Sequence, residues 1–207
     1  MKSPVSTWGV KMGRCLPRNL EATWLASRPP EAEVVVSMNR IMAPKSVAVI
    51  GASDEAGKIG NSVMKNLING GYKGQILPIH PKSAEIMGYK AYKSVKDVAG
   101  EIDVAVFAIP AKLVAGALTE CGEKGIAGAV LIPSGFAETG NMEGQLELVA
   151  IGRKYNIRLM GPNIYGFYYT PANLCATFCT AYDVKGSAAL SSQSGGIGMA
   201  IIGFSRS

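Results

Sequence analysis

Histidine is almost missing from this chain. Its 207 residues include one histidine, His80, two tryptophans and four cysteines. A lone histidine cannot supply two metal ligands, and no HxxxH or CxxC pair occurs, which excludes the common zinc and dithiol redox arrangements. No metal site and no nucleophilic triad can be assembled from what is present. Cys15, Cys121, Cys175 and Cys179 are scattered, and Cys175 and Cys179 have the wrong spacing for a redox pair. With no signal-peptide h-region ahead of them, they read as reduced thiols of a cytoplasmic protein. No apolar run approaches the ~18 residues of a membrane span, so no membrane partner is expected. The net charge of +6 is spread along the chain rather than gathered into a run. Without interleaved aromatics it does not read as a nucleic-acid surface, and a small phosphorylated ligand fits it better. The hydrophobic content of 48% is ample for a buried core.

Residues 1–37 differ from the rest. They hold Trp8, Trp24 and the Pro29-Pro30 break, with no acidic residue before Glu21. They read as an appended segment outside the fold: a start codon placed too early, with Met38 and Met42 as alternatives, a disordered arm, or a transit peptide. The early start is the favoured expectation. From Lys45 the pattern alternates. Short runs apolar on both faces, at Ser46–Gly51, Gln75–Ile79, Asp103–Ile109, Gly128–Ile132 and Arg158–Met160, predict buried parallel strands. Helices are expected at about Gly60–Asn69, Ala111–Lys124 and Asn141–Tyr155, the last with Met142, Leu146, Val149 and Ile151 on its inner face. This order predicts an α/β doubly wound, Rossmann-like parallel sheet over residues 38–182. A second strand, glycine-rich turn and helix, "GSAALSSQSGGIGMAII", opens at Gly186. Residues 183–207 are accordingly expected to be the start of a second α/β unit.

In such sheets ligands lie beyond the carboxyl ends of the strands, so the loops there are the place to look for chemistry. The first, "GASDEAGKIG", offers Gly51, Ala52 and Ser53, then Gly57, Lys58 and Gly60. Glycines let the backbone turn sharply, the helix that follows presents free N–H groups and a positive dipole end, and Lys58 adds charge. The combination predicts an anion cradle, although the spacing is not GxGxxG. At the end of the second strand an NAD site wants a carboxylate for the ribose hydroxyls, whereas this chain has His80-Pro81-Lys82. Lys82 would attract a phosphorylated ribose, which places NADP or coenzyme A above NAD. The second glycine-rich loop, Ser192, Gln193, Ser194, Gly195 and Gly196, offers hydroxyls and a helix start to a phosphoryl group.

The blocks "PKSVAVIGAS", "GKIGN", "PIHPK", "VFAIPA", "IPSGFAE", "GPNIYG" and "SSQSGGIGMA" stand in this order over about residues 38–207. In order and spacing they resemble the CoA-binding domain of the succinyl-CoA synthetase alpha subunit and, more closely, of the NDP-forming acyl-CoA synthetases of the acetate–CoA ligase type. The resemblance implies that Gly51, Ala52, Ser53, Gly57, Lys58, Ile59, Gly60 and Asn61 hold the phosphates of CoA, with Lys82 near its adenosine end. It implies that Ile109, Pro110, Pro133, Ser134, Gly135 and Phe136 line the adenine and pantetheine path, that Asn163 lies near the thiol, and that Ser192–Gly196 receives the transferred phosphate. His80, where asparagine is more usual, and the pair Tyr168-Tyr169 depart from the family pattern.

That family carries phosphate on a histidine of its second domain, and His80 does not match it. No catalytic residue is therefore assigned to this chain. The expected role is the CoA-binding portion of an NDP-forming acid–CoA ligase, incomplete alone, whose remaining ligase and ATP-grasp segments, small carboxylic acid and ADP or ATP would come from elsewhere. A stand-alone CoA-binding regulatory protein and an NAD(P)-binding oxidoreductase domain are the alternative readings.

Overall fold

The computed structural model describes residues 38–179 and 185–204. The appended segment expected at 1–37 and the domain boundary expected near residue 182 lie outside the described residues. Strand β1 is Ser46–Ile50, followed by helix α1 (Ile59–Asn69), β2 (Gln75–Ile79), the short pair β3 (Glu85–Ile86) and β4 (Tyr89–Lys90), and β5 (Val104–Phe107). Helix α2 (Val114–Lys124), β6 (Gly128–Leu131), α3 (Met142–Lys154), β7 (Arg158–Met160), the strands β8 (Gly166–Tyr169) and β9 (Leu174–Thr177), and α4 (Gly195–Phe204) complete the order.

Five strands form a parallel sheet in the order β2-β1-β5-β6-β7. The chain therefore winds outward in both directions from the β1–β5 junction, which is the topological switch point of the sheet. Strict alternation assigns neighbouring residues to opposite faces. Ala48, Ile50, Ala105, Phe107, Ala129 and Leu131 face a core closed by Val114, Leu118 and Cys121 of α2 and Leu148 of α3. Val47, Val49, Val104, Val106 and Val130 face the other core, closed by Val63, Met64 and Leu67 of α1 and by Leu174 and Ala176 of β9. Burial on both faces explains why the strands read as unbroken apolar runs. The architecture is the Rossmann-like α/β sheet expected from the sequence.

Helix α3 corrects one expectation. Met142 and Leu146 are 54% and 59% exposed, and the buried residues of the helix are Leu148 and Gly152. A glycine carries no hydrophobic signal, yet Gly152 is what allows the close approach. A Cβ added there would stand 3.0 Å from the Leu159 side chain, so α3 turns its smallest residue, not its largest, toward β7. The antiparallel β8–β9 hairpin was not foreseen either. It packs on the α1-side core through Leu174 and Ala176, and Asn66 Nδ2 of α1 donates to the carbonyls of Thr177 and Cys179, both at 2.7 Å.

The amino ends of the strands are closed by polar bonds. Asp103, 7% exposed, accepts from Arg40 Nε at 2.8 Å and from the Lys45 N–H at 2.7 Å. The Tyr72 hydroxyl donates to the Pro44 carbonyl at 2.7 Å. Burial, and then the Asp103 charge, push the Tyr72 phenol well above its ordinary range.

Candidate functional site

The carboxyl ends of β1, β2 and β5 open onto a cleft of about 130 Å³ lined by Ile50, Gly51, Ile79, Pro81, Lys93, Ser94, Val95, Ile109, Ala117 and Glu120. Gly51 has φ +87°, and a Cβ there would stand 2.5 Å from the Ala108 carbonyl oxygen and 2.7 Å from Ile109 Cγ2. Only glycine fits a left-handed position so tightly enclosed. A Cβ on Gly60 would in turn overlap the Gly51 carbonyl oxygen, so the start of α1 rests directly on the end of β1. Asn61, 2% exposed, locks the loop from beneath: its Nδ2 donates to the Ser53 carbonyl at 3.1 Å.

The start of α1 is bare. Its N-cap residue Lys58 makes no side-chain capping bond, and the first turn holds no acidic residue. Among the described residues no backbone acceptor receives the N–H of Ile59 or Gly60. By contrast α3 is capped by Asn141, whose side chain accepts from the Gly144 N–H, and carries Glu143 in its first turn. Unpartnered N–H groups, a positive dipole end and close glycine backbone give the α1 start the chemistry that suits an anion. Gly57, at φ +87° with open space around it, shapes the turn, and Ile59 is 41% exposed. Lys58 Nζ lies 3.6 Å from Glu55 Oε2, both side chains being exposed, a pair that solvent screens strongly. Ser53 Oγ accepts from the Glu55 N–H at 3.0 Å, and Asp54 Oδ1 accepts from the Met87 N–H at 2.8 Å. These two contacts tie the loop to itself and to the β3–β4 pair.

His80 has a defined structural task. Its Nδ1 accepts from the N–H groups of Lys82 at 3.3 Å and Ser83 at 3.0 Å, the turn that an asparagine side chain would cap in the same way. The imidazole therefore shapes the turn that holds Lys82. Lys82 is exposed and does not line the cleft, whereas Lys93, which the sequence reading did not select, does.

The remaining loops are joined in series. Pro110 is exposed and starts the turn Ala111–Leu113. A Cβ on Gly135 (φ +111°) would stand 3.3 Å from Ala111 Cβ, so the β5 and β6 loops touch. Ser134 is exposed and Pro133 half-buried. Phe136, expected along the ligand path, is 3% exposed, and it belongs to the core closed by α2 and α3. What its position offers the loop is backbone, and Glu138 Oε1 accepts from the N–H groups of both Gly135 and Phe136. These bonds, that from Gly135 first, hold the Glu138 carboxyl below its ordinary range. Asn163, at φ +56°, donates its N–H to the Pro133 carbonyl at 2.9 Å. Two residues on, the Tyr165 ring stands against Gly195, where a Cβ would overlap it, and meets Phe178 edge-on at 5.3 Å. Thr177 Oγ1 donates to the Tyr165 carbonyl. Gly195 thus sits beside the turn that carries Asn163. In the second glycine-rich loop Ser194 Oγ accepts weakly from the Ile197 N–H at 3.4 Å, and Ser192 Oγ donates to the Ser194 carbonyl at 2.9 Å. Gln193 and Gly196 are exposed.

Ser94 and Glu120 were also missed by sequence reading. Ser94 Oγ donates to Glu120 Oε2 at 2.6 Å, a contact between residues 26 apart in the chain that no local pattern signals.

Residues 45–170 match the family described as CoA binding domain, and the chain belongs to that family. It is 47% identical over 175 residues to subunit alpha of ADP-forming acetate–CoA ligase I of Pyrococcus furiosus, covering 82% of this chain and 38% of that one. It is 48% identical over 159 residues to the ADP-forming acetate–CoA ligase of Methanocaldococcus jannaschii, covering 77% and 22%. Among solved structures, acetyl-coenzyme A synthetase 1 of Candidatus Korarchaeum cryptofilum, determined in complex with phosphate and ADP, matches with a TM-score of 0.79. The identity is 43%, over 81% of this chain and 36% of that one. The chain therefore spans between 22% and 38% of the length of these relatives.

Proposed function

We propose that this chain is the CoA-binding portion of an ADP-forming acyl-CoA synthetase. The observation that carries the reading is the bare start of α1 pressed against Gly51 at the switch point of the sheet. A diphosphate placed there meets the free N–H groups of Ile59 and Gly60 and the glycine backbone of the loop, with Asn61 holding Ser53 in place. The β2 end carries Lys82 on its turn and Lys93 in the cleft wall, and no carboxylate at the position where an NAD site needs one. Positive charge at that end suits the phosphorylated ribose of CoA.

From this anchor the pantetheine arm runs past Ile109, Pro110, Pro133, Ser134 and Gly135 toward Asn163. The contact of Tyr165 with Gly195 supports a phosphoryl group at Ser192–Gly196 being close to the thiol end. The chain's own part in the reaction is to bind CoA and aim its sulfur. Acyl transfer then requires the thiolate to attack the carbonyl of an acyl phosphate and expel inorganic phosphate. ADP or ATP, the small carboxylic acid, the phosphoryl-carrying histidine and the grasp segment belong to the remainder of the enzyme, as a partner subunit or as further chain. The reaction takes place in the cytoplasm.

Calorimetric titration tests the reading. CoA should bind and dephospho-CoA should bind more weakly. A charge-assisted contact is worth roughly 1.5–3 kcal/mol, so Lys82→Ala should weaken CoA about tenfold or more and leave dephospho-CoA nearly unchanged. No binding of CoA by the wild-type chain would contradict it.

A further inference from the structure

The cleft at the β1–β2–β5 ends contains a carboxylate that the phosphate cradle does not explain. Glu120 projects from α2 into a wall otherwise formed largely by Ile50, Ile79, Pro81, Val95, Ile109 and Ala117. A carboxylate repels phosphate, so it has no place in an anion site unless it serves another part of the ligand. Flat apolar walls with one acceptor suit a planar heterocycle that carries an amine.

The carboxylate is also held in a fixed orientation. Ser94 Oγ accepts from the Lys96 N–H at 3.1 Å, and Ser94 belongs to a capping box with Asp97, whose Oδ2 accepts from the Ser94 N–H at 3.0 Å. The hydroxyl has one proton to give, and it gives it to Glu120 Oε2 at 2.6 Å. Oε1 has no protein partner among the described residues. An ionised carboxyl only accepts hydrogen bonds, so this oxygen favours a donor and disfavours a carbonyl.

We propose that the Ser94–Glu120 pair reads the base of the bound nucleotide, with Glu120 Oε1 accepting from the exocyclic amine of adenine and Ser94 acting as the positioning residue. The inference rests on the CoA reading and deepens it. Lys93 lines the same wall and adds positive charge there. The pair selects an amino-purine over a keto-purine, because a keto oxygen would leave a desolvated carboxylate facing a second acceptor.

The test compares CoA with its deaminated analogue, in which hypoxanthine replaces adenine, by calorimetry on the full chain. Wild type should bind CoA at least about tenfold more tightly than the deaminated form, since that form puts a carbonyl in place of the exocyclic amine and its remaining N–H, on ring N1, is displaced from Glu120 Oε1. Glu120→Gln presents both an acceptor and a donor, so the ratio should fall toward one. Equal wild-type affinity for the two ligands would overturn the proposal without any variant being needed. So would an equal loss for both ligands in Glu120→Gln, which would assign the carboxylate to the ribose instead. Failure of the wild type to bind either ligand would overturn the CoA reading itself, an outcome distinct from binding without base discrimination.

Discussion

Gly60 lies against the carbonyl of Gly51 so closely that no side chain fits between them. This contact joins the end of β1 to the start of α1 and brings free N–H groups to the switch point of the sheet. Gly60→Ala must force the two apart. Overpacking of this kind costs about 1–3 kcal/mol, and CoA affinity should fall with it. Gly57→Ala is the matched comparison: its surroundings are open, so only the left-handed backbone opposes it, at roughly 1–2 kcal/mol. Thermal melts and CoA titration of the two variants should show the larger loss of affinity in Gly60→Ala.

Asn61 acts on the loop from inside the protein. Removing the bond from its Nδ2 leaves the part-buried Ser53 carbonyl without this partner, at about 1 kcal/mol. Asn61→Ala should weaken CoA binding although the side chain is buried, because it holds the Ser53 carbonyl of the loop. Unchanged affinity in a folded variant would show that the loop holds its shape without it.

At the opposite end of the strands the expected pattern reverses. Asp103→Ala leaves the Lys45 N–H without its acceptor and Arg40, whose side chain is 35% exposed, with only the more distant Glu101, a loss of about 1–3 kcal/mol. Stability in denaturant should drop by about that amount while CoA affinity of the folded protein stays within about twofold. A matching loss of affinity would mean that the two ends of the sheet are coupled.

Glu138 gives the β6 loop a dependence on pH. Its carboxyl is held below the ordinary value of 4.5, chiefly by the Gly135 N–H. A depressed value in the folded state means that the contribution of these bonds is present above the unfolded value and is lost as pH falls through the folded one. The amide protons of Gly135 and Phe136 should therefore stay protected at neutral pH and exchange faster once the solution is well below pH 4.5. Glu138→Gln should remove the pH step in exchange. A step that survives the substitution would assign it to another group.

The strands were legible because burial on both faces writes them as continuous Val, Ile, Leu and Ala runs, and their spacing predicts the sheet. The sharp turn from β1 into α1 was legible because glycines at a strand end signal a left-handed backbone or a close approach, as at Gly51 and Gly60. Other features depend on tertiary contacts that no local window contains. Leu148 and Gly152, not Met142 and Leu146, form the inner side of α3, because Leu159 accepts a glycine against it. Phe136 turns into the core although its neighbours Ser134 and Gly135 lie in the loop. Ser94 and Glu120 meet in the cleft wall from separate elements, each reading alone as an ordinary surface residue. The Tyr168-Tyr169 pair read as a departure from the family and lies in strand β8, paired with β9.

The central claim is that the first loop and the bare start of α1 hold the diphosphate of CoA in preference to that of a dinucleotide. Titrating the full chain with CoA and with NADH under the same conditions tests it most directly. CoA should bind with one site per chain and at least about ten times more tightly than NADH, because the β2 end offers lysines in place of the carboxylate an NAD site requires. Equal affinity for the two ligands, or tighter binding of NADH, would contradict the account.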